Sequence, residues 1–349
     1  MKKKLRKLLP SKKSSAAEEP NESAPRITNE TVAEHREEVL SSARKYIYPL
    51  QHSKHKIVLI STSLFIAALI GFFTYTTIAL YRLKSYSSFL YAVTQVIPFP
   101  AARAGSDFVA YENYLFELKH YIHYYENQQK LNFATESGKQ QLTEFKKRAL
   151  TKVVNDAYIK QLAKQNKATV SDKEVDAEIQ IVREQNRLGG SDRVFEDVLR
   201  DYWGWSINDF KRSLKQQLLA QKVLPLLDKD TASRAEQASA ELKTNSDFVA
   251  AAKKYSDDAG SKDNGGEFGF AVDRTNRDIP AKTTQTLFTL KPGQISEVVN
   301  TGYTLEIIKN IEQQGEKIRG AHIVFTFKDI NTYVNDQKDK HKTRLFIKV

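Results

Sequence analysis

Between Lys56 and Arg82 lie 25 consecutive residues without a charge, IVLISTSLFIAALIGFFTYTTIALY. A helix rising about 1.5 Å per residue carries such a run across roughly 37 Å, more than the hydrocarbon core of a bilayer at about 30 Å. A core helix of a soluble protein is rarely so long and is not bracketed by charge at both ends. A cleaved signal peptide has a shorter apolar region and does not follow 56 residues of chain. The run therefore predicts a permanent transmembrane helix over 57–81. Arg44, Lys45, Lys54 and Lys56 precede it, whereas only Arg82 and Lys84 follow before Arg103. That bias puts the N-terminus in the cytoplasm and residues from about 82 onward outside the cell membrane.

Charge separates this arm from the remainder. Residues 1–56 hold 13 Lys/Arg against 7 Asp/Glu, a net +6, and the other 293 hold 41 against 35, again +6. The opening MKKKLRKLL suits an anionic lipid surface at about 1 kcal/mol per basic residue, and Ser11–Glu38 reads as a polar, disordered tail. The arm lacks the interleaved aromatics of a nucleic-acid binder, so no nucleic acid is expected as a partner. Cysteine is absent, which excludes disulfides, thiolate chemistry and Cys-based zinc sites.

Beyond the span, Pro98 and Pro100 oppose a helix and predict an extended connector over 82–105. Helical patterns dominate 106–228. Tyr114, Leu118, Tyr121 and Tyr125 fall at helical spacing, and Phe145, Leu150, Val153, Val154, Ala157 and Leu162 form a second stripe. Ser171 with Glu174 reads as a capping box opening a helix over 172–187, which Gly189–Gly190 ends. Ser206 with Asp209 opens another, running to Leu224 before Pro225. Trp203 and Trp205, separated by Gly204, are the candidates for a surface that binds unfolded chains, since such a pair does not easily share one helical core face. His120, His123 and Glu117 are close enough on one helix to suggest metal ligands, but lack a fourth, so no metal is expected. This block resembles the N-terminal chaperone module of SurA- and PrsA-class foldases, carried by ALTKVVNDAYIKQLAKQNKATVSDKEVDAEI and INDFKRSLKQQLLAQKV.

Four further pieces stand in one order: Asp247–Ser256 as D-F-x-x-x-A-x-x-x-S, Gly265–Gly269 as G-G-E-F-G, Phe288–Ser296 as F-x-L-x-x-G-x-I-S, and the closing Ile307–Lys309. Together they resemble a parvulin-type (PpiC) peptidyl-prolyl cis-trans isomerase domain. The resemblance implies an α+β domain with a small antiparallel sheet packed by helices, no cofactor, and a pocket made of a first-strand His, an Asp or Cys, a Met/Phe proline floor and a second His. Asp258 falls at the Asp/Cys position. Phe268 replaces a leucine, Ile279 falls at the methionine position and Thr283 replaces the floor's phenylalanine. On the last strand Glu306 stands at the second histidine and Tyr303 at a neighbouring hydroxyl position.

The family's opening strand, of the type A-S-H-I-L-V, is missing ahead of Leu226–Asp230, which leads straight into a helix. A matching segment, IRGAHIVFTF with His322, follows the domain instead. In the family the first and last strands lie side by side and antiparallel, so a hairpin through Glu312–Arg319 would restore the sheet by circular permutation; period-2 alternation in HIVFTF and the turn at Gly315 suit that. The His322–Glu306 pair would then bring a negative charge to the site.

The expected organisation is a cytoplasmic basic tail at 1–56, a transmembrane helix at 57–81, a connector at 82–105, a helical chaperone module at 106–228, a parvulin-like domain at 229–330 and an extension at 331–349. The expected function is that of a membrane-anchored extracytoplasmic foldase acting on unfolded or exported polypeptides with X-Pro bonds. Asp258, His322 and Glu306 would be its catalytic residues, and Phe268, Ile279, Thr283 and Tyr303 its substrate-binding residues. The alternative is a parvulin fold that holds chains without turning them.

Overall fold

A computed structural model describes residues 27–47, 50–185, 191–245 and 247–349, and the chain divides into the units Met1–Phe73 and Thr74–Val349. The first unit contains α1 (Asn29–Ile47) and the start of α2 (Leu50–Thr77). Residues 29–38, expected as disordered tail, are helical. Thr28 and Thr31 cap one another, with Thr31 N donating to Thr28 Oγ1 at 3.3 Å and Thr28 N to Thr31 Oγ1 at 3.0 Å, and the good helix formers that follow propagate the turn. Residues 11–26 of that expectation lie outside the described residues. Among the described residues one helix, His55–Arg82, is long and apolar enough to cross a membrane.

The second unit starts inside this apolar run. After α2 a π-type turn covers Ile78–Arg82, and Thr76, Ala79 and Leu80 are buried in the folded unit. Tyr111 Oη donates to Leu80 O at 2.6 Å, and Tyr81 Oη to Pro100 O at 2.8 Å. The expected span of 57–81 thus gives its last turn to the folded unit. Ile57–Tyr75, about 19 residues or roughly 28 Å as a helix, include no buried residue.

The expected extended connector is instead α3 (Ser88–Val96), capped by Ser87, followed by β1 (Pro100–Ala104) and β2 (Asp107–Ala110). Pro98 and Pro100 end the helix and start the strand but do not prevent either, because both lie beyond Val96. Then come α4 (Tyr111–Asn127), α5 (Glu136–Gln165), α6 (Asp172–Gln185), α7 (Asp192–Val198) and α8 (Ile207–Leu227). Both capping boxes form: Ser171 N donates to Glu174 Oε2 at 2.8 Å, and Ser206 N to Asp209 Oδ2 at 2.9 Å. The expected break at Gly189–Gly190 lies outside the described residues. Helix α8 does not stop at Leu224. Pro225 removes the amide that would reach Gln221 O, and Asn300 Nδ2 fills that role at 3.3 Å, so the helix runs one turn further.

The parvulin-like part comprises α9 (Lys229–Thr244), α10 (Phe248–Tyr255), β3 (Glu267–Val272), α11 (Ala281–Thr289), β4 (Val299–Asn300), β5 (Thr304–Gln314) and β6 (Lys317–Thr326). Its antiparallel sheet has the order β3-β6-β5-β4. Strand alternation sorts the side chains: Leu305, Ile307, Ala321, Ile323 and Phe325 pack under α9 and α10, while Ile308 and Ile318 face Leu287 of α11 with Val272 and Ile279. The fold class is thus α+β, as the sequence indicates.

The chain then leaves this part through α12 (Ile330–Lys340) and β7 (Arg344–Leu345). Residues 331–349, expected as a separate extension, join the helical module. β7 pairs with β1 to give the sheet β2-β1-β7, Val334 and Ile347 are fully buried in the core of α4 and α5, and Tyr158 Oη donates to His341 O at 2.6 Å. The parvulin-like part is an insertion within the helical module.

Candidate functional site

Strand β6 lies between β5 and β3, with Ile308 opposite His322 and Glu306 opposite Val324. The segment expected to replace the missing first strand therefore sits antiparallel beside the last one. Its far edge is closed by Ser256 and Asp257: Ser256 Oγ accepts from Val324 N at 3.1 Å, Asp257 N donates to Val324 O at 2.7 Å, and Asp257 Oδ2 accepts from Thr326 N at 2.9 Å. The S-D pair thus satisfies strand amides that would otherwise be orphaned. Asp247 opens the helix leading there, accepting from Ala250 N at 3.0 Å.

The G-G turn explains itself by proximity. His322 N donates to Gly266 O at 2.8 Å, and a Cβ on Gly266, whose φ is +80°, would lie 2.2 Å from His322 O. Only glycine lets the turn reach the strand.

This packing brings three of the expected residues together. His322 Nε2 is 3.3 Å from Asp258 Oδ2, and His322 Nδ1 is 3.1 Å from Glu306 Oε2. Ionised carboxylates only accept, so both contacts hold at once when both ring nitrogens carry a proton or one carboxyl does. Asp258 also accepts from Gly260 N at 3.1 Å and from the Ser261 hydroxyl. The Ser261 hydroxyl chiefly, with the Gly260 amide and His322, holds the Asp258 carboxyl below its ordinary range, against the opposing effect of partial burial.

Glu306 is buried, with a cluster of hydroxyls around it. Its Oε2 accepts from Thr283 Oγ1 at 2.9 Å, and its Oε1 lies 3.2 Å from Thr304 Oγ1 and 3.4 Å from Thr301 Oγ1. Thr283 is itself fully buried, so it serves Glu306 and does not form an open floor for a proline ring. Phe268 stacks edge-on over His322, with ring centroids 4.7 Å apart. Ile279 is buried with Val272, Leu287 and Ile308, and Tyr303 is exposed. Neither is brought into the hydrogen-bonded cluster.

Ser261, Thr301 and Thr304 were not among the expected site residues. A signal existed for two of them: Ser261 follows Asp258 by three residues, the spacing of a local side-chain turn, and Thr304 precedes Glu306 by two, on the same strand face.

The aromatic and histidine expectations in the helical module resolve differently. Trp203 and Trp205 are half-buried, not surface-exposed. Trp205 stacks on Phe116 with centroids 5.8 Å apart and on His120 at 4.3 Å, and Trp203 stacks on Tyr124 at 5.3 Å. Gly204, with φ +65°, turns the chain so that both rings reach α4. His120 Nδ1 is 3.4 Å from Trp203 O, and His123 Nε2 is 3.1 Å from Asp201 O. Glu117 pairs with Lys152 at 2.9 Å. The two histidines tie the loop to α4, and Glu117 ties α4 to α5.

Comparison with known proteins gives two family matches. Residues 223–312 match a PPIC-type PPIase domain, and residues 51–224 match a SurA-like N-terminal domain. The first match ends before His322, as it must if the strand carrying that residue has moved. The chain is 29% identical over 196 residues to a foldase protein PrsA from Geobacillus sp. (strain WCH70), covering 50% of this chain and 67% of the relative. It is 37% identical over 102 residues to foldase protein PrsA 3 of Bacillus anthracis, covering 29% and 33%. A crystal structure of the peptidylprolyl isomerase PrsA from Bacillus anthracis covers 55% of this chain and 88% of its own at 21% identity, with a TM-score of 0.18, a superposition too loose to place any residue. The matches span from a third to two thirds of the curated relatives' length. The chain thus carries a parvulin-type PPIC domain behind a SurA-like N-terminal domain, the family to which its motifs point.

Proposed function

We propose that the protein is a membrane-anchored extracytoplasmic foldase whose parvulin-type domain turns X-Pro bonds in unfolded or exported polypeptides. The observation that carries this reading is the continuous arrangement Asp258–His322–Glu306, assembled from a loop and two adjacent strands. Rotation about an X-Pro bond must overcome amide resonance, a barrier of about 18–20 kcal/mol. No nucleophile is needed. A site that excludes water and offers a fixed polar array to the twisted amide lowers the barrier. Here His322, held between two carboxylates, supplies the polar array, with Phe268 covering one side. The apolar span over 57–75, preceded by the more basic flank, supports an anchor with the N-terminus in the cytoplasm.

The test is the cis/trans exchange rate of X-Pro peptides, measured by NMR on the full chain and on its His322→Ala and Asp258→Ala variants. Acceleration that falls about a hundredfold or more in both variants, the range for loss of one positioned polar group, supports the isomerase. A folded chain with no acceleration would assign the domain to holding polypeptides without turning them.

A further inference from the structure

Helix α3 is an unusual surface element. Its nine residues, SFLYAVTQV, include no charge. One face is used: Leu90 and Thr94 are buried against the helical module. The other is not. Phe89 is 55% exposed and Val96 83% exposed, with exposed Ala92 between them at helical spacing, and Leu83 just upstream is 67% exposed. An uncharged stripe of this kind on a water-facing helix calls for a covering partner.

Two observations identify that partner as lipid. The first is continuity with the apolar span. The run without a buried residue ends at Tyr75, and the segment Thr76–Arg82 is built into the same folded unit as α3. That segment adds about 10 Å and Leu83–Ser87 at most about 20 Å, so α3 begins within about 30 Å of Tyr75. The unit has no long tether that would carry this face away from a bilayer. The second is charge. Lys119 Nζ lies 3.4 Å from Ser88 Oγ and over the Tyr91 ring at 4.6 Å, and Lys146 Nζ lies 3.4 Å from Lys84 O and over the Tyr86 ring at 5.4 Å. Among the described residues no carboxylate forms an ion pair with Arg82, Lys84, Lys119 or Lys146. Four cations thus border the apolar stripe, with aromatic rings beside two of them. Anionic headgroups supply what this border lacks, and acyl chains cover the stripe.

We propose that α3 lies in the lipid–water interface of the outer leaflet, as a second membrane contact that fixes the folded unit against the bilayer. This rests on the membrane-anchored reading above. The full chain has no cysteine, so single-cysteine variants can carry an environment-sensitive fluorophore. Phe89→Cys, Val96→Cys, Ile66→Cys and Val249→Cys are labelled in full-length protein in nanodiscs of phosphatidylcholine and phosphatidylglycerol, then exposed to lipid-borne nitroxide quenchers. Labels at positions 89 and 96 are expected to shift to the blue and lose most of their emission, as the label at 66 does, while the label at 249 keeps its own. Labels at 89 and 96 that behave like 249, with 66 quenched, would overturn the interfacial helix and leave the anchor standing. If 66 is unquenched as well, the anchored reading fails with it. Self-quenching between labelled copies, without lipid quenching, would assign the face to a second copy and overturn the proposal.

Discussion

A carboxylate as enclosed as that of Glu306 costs several kcal/mol unless its oxygens are satisfied. Three threonine hydroxyls and one imidazole nitrogen satisfy it here, and no lysine or arginine is needed. Asp258 is treated differently: it is partly open to water and held by Ser261, Gly260 and His322. Its folded-state pKa is depressed, so its contribution to stability is present above the unfolded value of about 3.9 and is lost as pH falls through the lower folded value. Ser261→Ala removes the largest cause of that depression. The acid limb of the isomerisation rate against pH should therefore move upward in this variant, with little change near neutrality. An unmoved limb would mean that Asp258 protonation does not control the site. A second residue-scale expectation concerns Gly266. Gly266→Ala forces a Cβ against His322 O, and should destabilise the protein by more than about 1 kcal/mol in chemical denaturation, from strain at positive φ and the displaced strand.

Among the elements, β6 was the most legible from sequence and the most consequential. Its alternation, the turn at Gly315 and its likeness to a missing opening strand placed it beside β5, and the pairing Ile308 with His322 follows that register. Both capping boxes were equally readable, because cap chemistry is local. The elements that escaped depend on remote partners. β7 is two residues long and exists because β1, some 240 positions earlier, presents an edge to it. The half-burial of Trp203 and Trp205 depends on α4 lying opposite, which no spacing within DYWGWS encodes. Within the site, Asp258, His322 and Glu306 were legible because each occupies a motif position. The hydrogen bond from Thr283 to Glu306 becomes visible only when α11 and β5 are seen to face one another.

At the scale of the molecule, the folded unit begins at Thr74 and draws on its first residues for its core: Leu80, Leu90 and Ala101 are almost fully buried. A fragment covering 102–349 severs β1 and removes these side chains, whereas one covering 74–349 keeps them. The shorter fragment should melt lower by about ten degrees or more, since losing two buried leucines costs about 2–5 kcal/mol each; equal melting temperatures would show that the core does not depend on that segment. Tyrosines make the same core sensitive to base. Burial pushes Tyr91 up to about 12, and Tyr111 and Tyr114 are raised further for the same reason. A raised folded-state pKa gives stability that is full below the unfolded value of about 10 and lost as pH rises through the folded one. Far-UV circular dichroism should therefore stay native to about pH 10 and collapse above it, and Tyr111→Phe should not remove the collapse, since Tyr91 and Tyr114 remain.

The insertion of the parvulin part within the helical module also sets an order of events in time. The chain is made from its N-terminus forward. When the first 316 residues have emerged, the sheet still lacks its central strand and His322, and the helical module still lacks β7 and Ile347. Neither domain can close its core on a growing chain in the usual one-after-another way. Both finish together on arrival of residues 317–349, so neither core can shelter the other while the chain is still being made.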